Sequence, residues 1–240
     1  LRNQGLPKIR KRLAAYHLLR LAKRNSTYFE LSNLLGFPYQ DISKYVYGTI
    51  MPSIERSEVI IQKLDLERYI KDMLNNYLTF DSEGFINNSI IVYDSDLLYL
   101  LAYYIYQLYK DAGITKILTA AADGIPLATI VSELFGVPLA FAKKQAEIGV
   151  SDYLRAKVII KGSGTGYELY IDANLLNKKD NILIVDDILR QGETLEGLIN
   201  LAKKARANIY AVFVVLKVGN LNVSNILPIG VKFNALIRMQ

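Results

Sequence analysis

Ile182-Leu183-Ile184-Val185-Asp186-Asp187-Ile188-Leu189-Arg190-Gln191-Gly192-Glu193-Thr194 is the stretch that decides the fold of this 240-residue chain. Four consecutive apolar residues suit a central parallel strand covered on both faces. Asp186 and Asp187 are then expected at its carboxyl end, where open α/β sheets place their ligands. Gly192 permits a close backbone approach. Thr194 opens an amphipathic helix carrying Leu195, Leu198, Ile199, Leu201 and Ala202. Free amides at a helix start face anions, and carboxylates accept hydrogen bonds from a diol. Diol acceptors beside a phosphate nest fit a ribose 5-phosphate.

Two other folds share a hydrophobic strand tipped with acids. The magnesium-binding half of a nucleoside triphosphatase needs a G-x-x-x-x-G-K-[ST] loop, and the glycines at 162, 164 and 166 lack its lysine. A response-regulator receiver domain needs roughly a hundred residues after its acid pair, whereas 53 follow Asp187. The run instead resembles the phosphoribosyl-pyrophosphate signature of type I phosphoribosyltransferases: apolar residues, an acid pair and a short T-G-G-T-like loop. Gln191 and Glu193 depart from that loop. Glu193 sets a negative side chain beside a phosphate site, a cost avoided when it turns outward or pairs with Arg190 or a bound cation.

Other segments agree with the family in order. Ile117-Leu118-Thr119-Ala120-Ala121-Ala122-Asp123-Gly124-Ile125-Pro126-Leu127-Ala128 reads as strand, small-residue turn and helix, and looks like the family's pyrophosphate loop. The resemblance implies that Ala121, Ala122, Asp123 and Gly124 offer backbone amides to pyrophosphate. Gly136 to Lys144 reads as a strand ending in two bases, Lys143 and Lys144. They are similar to the basic pair facing pyrophosphate in adenine, xanthine and orotate enzymes, although a solvated pair at a strand end is the plainer reading of two lysines alone. Ala146 to Gly166 is polar and glycine-rich near its end, as expected of the family's mobile closing loop, with Lys161 as a weak candidate. Val212 to Lys217 and Gly230 to Arg238 resemble closing strands. The resemblance runs from about Asp94 to the end and supplies no base-recognition pocket.

Charge divides unevenly. Residues 1–64 carry a formal charge of +7 and residues 65–240 one of −1. A basic module beside a near-neutral one suggests a polyanionic partner, DNA being the usual one. Ile9 to Lys23 has the apolar spacing of a one-faced helix. Thr27 with Glu30 is a capping-box pattern for a second helix that stops at Gly36, and Tyr39 to Tyr47 forms a third. Ser32, Gly36 and Ile42 stand at the spacing of a helix-turn-helix; an ordinary three-helix bundle shares that spacing. The segment Ile42 to Ser53 resembles repressor-type helix-turn-helix domains. That likeness implies a reading helix whose outward residues Tyr39, Gln40, Ser43, Lys44 and Tyr47 contact DNA. A fourth helix is expected from about Ser53 to Leu64, an amphipathic connector from Asp65 to Tyr77, a short strand around Phe85 to Val92, and an apolar helix from Asp96 to Lys110.

Composition narrows the chemistry. The chain has no cysteine, which excludes disulfides and thiol catalysis, and its single histidine, His17, leaves no transition-metal cluster. No run approaches a membrane span or a signal peptide, so a cytoplasmic protein is expected.

The sequence thus leads to an α/β fold of the type I phosphoribosyltransferase kind, a mostly parallel sheet flanked by helices, with an all-α helix-turn-helix domain before it. The expected divisions are 1–64 for DNA binding, 65–93 for a helical connector and first strand, and 94–240 for ligand binding. The domain order resembles that of archaeal transcriptional regulators. The expected function is therefore a regulator that binds double-stranded DNA and senses phosphoribosyl pyrophosphate, or a related phosphorylated sugar or nucleotide, with magnesium as counter-ion. Asp186 and Asp187 are to hold the ribose diol, the amides of Arg190, Gln191, Gly192, Glu193 and Thr194 the 5-phosphate, and residues 121–124 with Lys143 and Lys144 the pyrophosphate. A homodimer is expected, presenting two reading helices. The alternative is an active purine or orotate phosphoribosyltransferase; Asp123 and Glu193 add negative charge that disfavours it.

Overall fold

A computed structural model describes residues 5–80, 82, 86, 87, 89–160 and 162–239. Contacts divide the chain into two compact units, 1–104 and 105–240.

The first unit is helical. Helix α1 (Leu6–Arg24) buries Ala14, Ala15, Leu18, Leu19, Leu21 and Ala22, a stripe at helical spacing, and carries Pro7 in its first turn, where its missing N–H costs nothing. Helix α2 (Tyr28–Leu35) opens on the expected capping box: Thr27 Oγ1 accepts from the Glu30 amide, and the Thr27 amide donates to Glu30 Oε2 at 2.7 Å. It ends at Gly36, whose φ of +77° is left-handed. Helix α3 (Tyr39–Val46) follows with Ile42 fully buried, and Tyr47 caps its end. Helix α4 (Ile54–Lys63) is capped by Ser53, and α5 (Leu66–Tyr77) by Asp65.

The strand expected around Phe85 to Val92 is corrected. Strand β1 (Thr79–Phe80) pairs with β2 (Ile86–Asn87) over two residues only, and Ser89–Tyr93 forms helix α6. The Asn87 side chain accepts from the Ser89 amide at 2.9 Å and so starts a helix where β-branched residues suggested a strand. Phe85 itself lies outside the described residues. Helix α7 (Ser95–Tyr109) follows, and the division between units falls inside it.

His17 is structural rather than catalytic. Asp96, 1 % exposed, accepts from His17 Nδ1 at 2.7 Å and from Arg24 at 2.8 Å, with Arg20 at 3.5 Å, while the His17 ring stacks on Tyr99. Burial pushes the Asp96 carboxyl upward, but the His17 hydrogen bond and the two guanidinium charges outweigh it and hold the group below the ordinary range.

The second unit is a five-stranded, all-parallel sheet with the order β4-β3-β7-β8-β9. Strand β3 (Lys116–Ala120) leads to helix α8 (Gly124–Phe135) and β4 (Leu139–Ala142). A two-stranded antiparallel ribbon, β5 (Tyr153–Ile159) and β6 (Gly166–Asp172), then intervenes. Strand β7 (Asn181–Leu189), helix α9 (Glu193–Lys204), β8 (Asn208–Val218) and β9 (Lys232–Met239) complete the unit. Ile182, Leu183, Ile184 and Val185 are all fully buried, as a strand covered on both faces requires.

The middle of the expected closing loop, residues 153–159, is strand β5 of this ribbon rather than loop. Ala156 and Val158 of β5 and Leu169 and Ile171 of β6 alternate inward with period two, and Val158 and Leu169 pack on α9 at Gly197. Only residues 160–165 connect the two strands, and Lys161 lies outside the described residues. The glycines at 162, 164 and 166 drew attention to the turn and away from the alternation on either side of it.

Candidate active site

The strand order places a topological switch point between β3 and β7. From β3 the chain moves outward to β4, then returns to continue on the other side with β7. Open α/β sheets bind ligands in the crevice outside the carboxyl ends at such a point. From one side this crevice receives Thr119 and the turn Ala121, Ala122 and Asp123. From the other it receives Asp186 and Asp187, then Arg190, Gln191 and Gly192. Helices α8 and α9 start there.

The two sides meet beneath Gly124. A Cβ at that position would stand 2.3 Å from Thr119 Oγ1 and 2.7 Å from Asp186 Oδ1. Glycine is therefore required by the neighbours rather than by its own dihedral angles. Thr119 is fully buried, and its hydroxyl has no hydrogen-bond partner among the described residues. The acids do not tip the strand as expected; β7 continues through them to Leu189, with Asp186 in register with Val214. The pair is thus held by ladder bonds on a rigid element.

Burial pushes the Asp186 carboxyl well above its ordinary value, and the adjoining Asp187 charge, a hydrogen bond with the Asp187 side chain and the nearby Asp123 add to the rise. The Asp187 amide donates to Asp186 Oδ1 at 3.1 Å. Asp187 is 7 % exposed, whereas Asp186 is half-buried. The shift favours the protonated form of the Asp186 carboxyl.

Gly192 is fixed by two constraints. Its φ is +86°, in the left-handed region, and a Cβ would come within 2.4 Å of Ile226 Cδ1 and 3.0 Å of Leu221 Cδ2. Neither α8, with Asp123 at its N-cap, nor α9, with Gly192 there, has a side-chain cap bond. At the start of α8 the Ile125 amide already donates to the Ala122 carbonyl at 3.1 Å and Pro126 has no N–H, so Gly124 is the first-turn residue there that could offer an amide to an anion. Arg190, Glu193 and Thr194 are half-buried in this turn and helix start, and Gln191 is exposed.

The lysine pair sits beside the crevice with partners. Lys143 forms an ion pair with Glu147 and lies over the Phe141 ring, and its backbone pairs in both directions with Tyr170 of β6. Lys144 lies 4.7 Å from the centre of the Tyr167 ring, and the Tyr167 hydroxyl is 3.0 Å from Thr194 Oγ1. The structure therefore joins Lys144, Tyr167 and Thr194 in one row. Thr119, Tyr167, Leu221 and Ile226 were missed from the sequence. Thr119 did carry a signal, as a polar residue set between apolar ones near the carboxyl end of a buried strand; Tyr167 carried none.

In the first unit Tyr39, Gln40, Lys44 and Tyr47 are exposed and Ser43 half-buried. Many of the basic residues behind the +7 charge have partners within the unit. Lys11 pairs with Glu58, Arg12 donates to the Pro52 carbonyl, Arg20 and Arg24 meet Asp96, and Arg56 meets Asp41.

A parallel sheet with paired acids and two helix starts gathered at its switch point defines an α/β protein with a ligand-type crevice at the carboxyl ends of its strands. Residues 94–223 match the model of the phosphoribosyl transferase domain. The chain is 36% identical over 155 residues to a xanthine phosphoribosyltransferase of Lactobacillus delbrueckii subsp. bulgaricus, covering 63% of this chain and 79% of the relative. It is 33% identical over 183 residues to that of Streptococcus uberis, covering 74% and 92%. Among solved structures, adenine phosphoribosyltransferase from Rhodothermus marinus superposes with a TM-score of 0.63 at 15% identity, over 72% of this chain and 99% of that one. The enzyme from Giardia lamblia complexed with 9-deazaadenine gives 0.60 at 22%, over 70% and 97%. The chain belongs to the phosphoribosyl transferase domain family.

These likenesses overturn the regulator expectation. The relatives are named as transferases, and nothing in the matches supports transcription regulation or DNA binding through Tyr39, Gln40, Ser43, Lys44 and Tyr47. The physical reason lies in what the spacing encodes. Gly36 caps α2 with a left-handed residue, Ser32 Oγ donates to the Phe37 carbonyl at 2.6 Å, and Ile42 fills the core. Those roles belong to helix packing, whatever the partner, and part of the charge excess is taken up within the unit.

Proposed function

We propose that the protein is an active purine phosphoribosyltransferase of the xanthine type. It transfers ribose 5-phosphate from phosphoribosyl pyrophosphate to a purine ring nitrogen. The observation that carries this reading is the convergence of the acid pair with two uncapped helix starts at the β3/β7 switch point. The named activity of relatives spanned over 79% and 92% of their length supports it.

In this reading Asp187 accepts from one ribose hydroxyl and Asp186 from the other. Amides of residues 190–194 take the 5-phosphate; those of 122–124, with Lys143 and Lys144, take pyrophosphate, the Ala121 amide being held by the Ala142 carbonyl at 2.8 Å. The bond from C1 of ribose to the pyrophosphate oxygen breaks, pyrophosphate leaves with the electron pair, and the purine nitrogen forms the new bond and loses its proton. Lys143 exchanges Glu147 for a phosphate oxygen as the leaving group develops charge.

A magnesium ion would neutralise part of the charge on the leaving pyrophosphate. The donor set fits it: such ions take one or two carboxylates together with substrate phosphates and water, and among the described residues no cluster of three or more ligating side chains forms a cage of its own. Asp187 is the carboxylate that would contribute.

The test is product formation. Phosphoribosyl pyrophosphate, magnesium and xanthine are expected to yield the nucleotide and pyrophosphate, with Asp187→Asn reducing turnover at least tenfold. Tight ligand binding without nucleotide from xanthine, hypoxanthine, guanine or adenine would refute the reading.

A further inference from the structure

The Tyr167 side chain spans the two sides of the crevice. Its ring lies beneath the Lys144 ammonium, 4.7 Å from it, and its hydroxyl meets Thr194 Oγ1 at 3.0 Å. Thr194 belongs to the first turn of α9, beside the amides assigned to the 5-phosphate, and Lys144 follows β4 on the pyrophosphate side. The ribbon that presents Tyr167 is anchored at two places. Val158 and Leu169 pack on α9 at Gly197, and Lys143 and Tyr170 exchange backbone hydrogen bonds of 2.9 and 2.7 Å. Tyr167 is thus presented from a braced element.

We infer that Tyr167 is a positioning residue that orders the two anion subsites together, orienting the Thr194 hydroxyl toward the 5-phosphate and holding the Lys144 ammonium for pyrophosphate. The chemistry of the hydroxyls fixes the direction. A phosphate dianion only accepts hydrogen bonds, so Thr194 must donate its single proton to it, leaving its lone pairs for another donor. The phenol is that donor. Its bond to Thr194 Oγ1 removes the orientation in which the threonine proton points back toward the ribbon, and polarises the hydroxyl toward the ligand. The ring face meanwhile attracts the ammonium and limits its rotamers. Nothing in the resemblance to known transferases assigns such a residue; the row of Lys144, Tyr167 and Thr194 does.

This inference rests on the 5-phosphate lying at residues 190–194, and the experiment separates the two. Binding of phosphoribosyl pyrophosphate with magnesium, and of pyrophosphate alone, is measured by calorimetry for the full chain and its variants. Thr194→Ala is expected to weaken phosphoribosyl pyrophosphate. Tyr167→Phe keeps the ring and loses the hydroxyl. It is expected to weaken phosphoribosyl pyrophosphate about 3- to 10-fold, the range for one neutral hydrogen bond, raising KM with little change in kcat while leaving pyrophosphate affinity unchanged. Tyr167→Leu is expected to weaken both ligands. In a Thr194→Ala background, Tyr167→Phe should have no further effect, because the phenol acts through the threonine. Full additivity in that double variant, or wild-type affinity for Tyr167→Phe, would overturn the inference while leaving the phosphate turn in place. Unchanged affinity on Thr194→Ala alone would remove the phosphate assignment and the inference with it.

Discussion

Gly124→Ala tests how tightly the two sides of the crevice are keyed together. The added Cβ would lie 2.3 Å from Thr119 Oγ1 and 2.7 Å from Asp186 Oδ1, against ordinary contact beginning near 3.4 Å, so something must move by about 1 Å. Thr119 is fully buried on β3 and Asp186 belongs to the central strand β7, leaving the start of α8 as the part that yields. Overpacking of this kind costs about 1–3 kcal/mol. A displacement of about 1 Å at a reacting site costs on the order of 100-fold in turnover. The variant is therefore expected to unfold at lower urea concentration and to lose on the order of 100-fold in kcat/KM. Gly136→Ala provides the control. Its φ is +67° but nothing lies within 4 Å of the added atom, so it should cost about 1 kcal/mol of backbone strain and leave catalysis unchanged. Adding Thr119→Ala to Gly124→Ala removes the shorter contact and should recover part of the stability. Wild-type kcat/KM in Gly124→Ala would refute the idea that α8 is seated on the acid pair.

Three further outcomes follow from the same geometry. Asp186 is held above its ordinary range, so the stability of the folded state is fully expressed below about pH 3.8 and declines as pH rises toward the folded value. Asp186→Asn should flatten that decline and stabilise the protein at neutral pH by about 0.5–2 kcal/mol, at the expense of ligand binding; thermal melts from pH 4 to 8 that match the parent would contradict this. Asp96 is shifted the opposite way, and its contribution is present above about pH 3.8 and lost as pH falls through the lower folded value. Asp96→Ala leaves His17, Arg20 and Arg24 without their shared acceptor and should cost about 3–5 kcal/mol by urea unfolding at pH 7; a loss below 1 kcal/mol would show that the network is incidental. Gly192→Ala combines left-handed strain of about 1–2 kcal/mol with a 2.4 Å approach to Ile226 Cδ1. It should abolish calorimetric binding of ribose 5-phosphate, and retained binding would show that the turn is not the phosphate cradle.

The parts of the site legible in the sequence are those whose chemistry repeats at short range. Ile182 to Val185 could only be a doubly covered strand, and the glycine and helix start after Leu189 followed from adjacent residues. What was not legible depended on neighbours distant in sequence. The upward shift of the Asp186 carboxyl arises from burial and from Asp187 and Asp123, the last of these 63 positions away. Tyr167 reaches Thr194 only because β5 and β6 fold onto α9. The alternation of Ala156 and Val158 was present in the letters but was masked by the glycines that follow. In the first unit, capping and apolar spacing placed the helices well, because they are local. The function assigned to those helices failed because a net charge summed over a stretch of sequence does not show where the charges lie, and Asp96, outside that stretch, meets Arg20 and Arg24.

The most direct test of the central claim is a crystal structure of the chain soaked with ribose 5-phosphate. The phosphate is expected against the amides of residues 190–194 and the sugar diol against Asp186 and Asp187, in the crevice between the carboxyl ends of β3 and β7. A sugar phosphate bound elsewhere, with that crevice closed to it, would contradict the account.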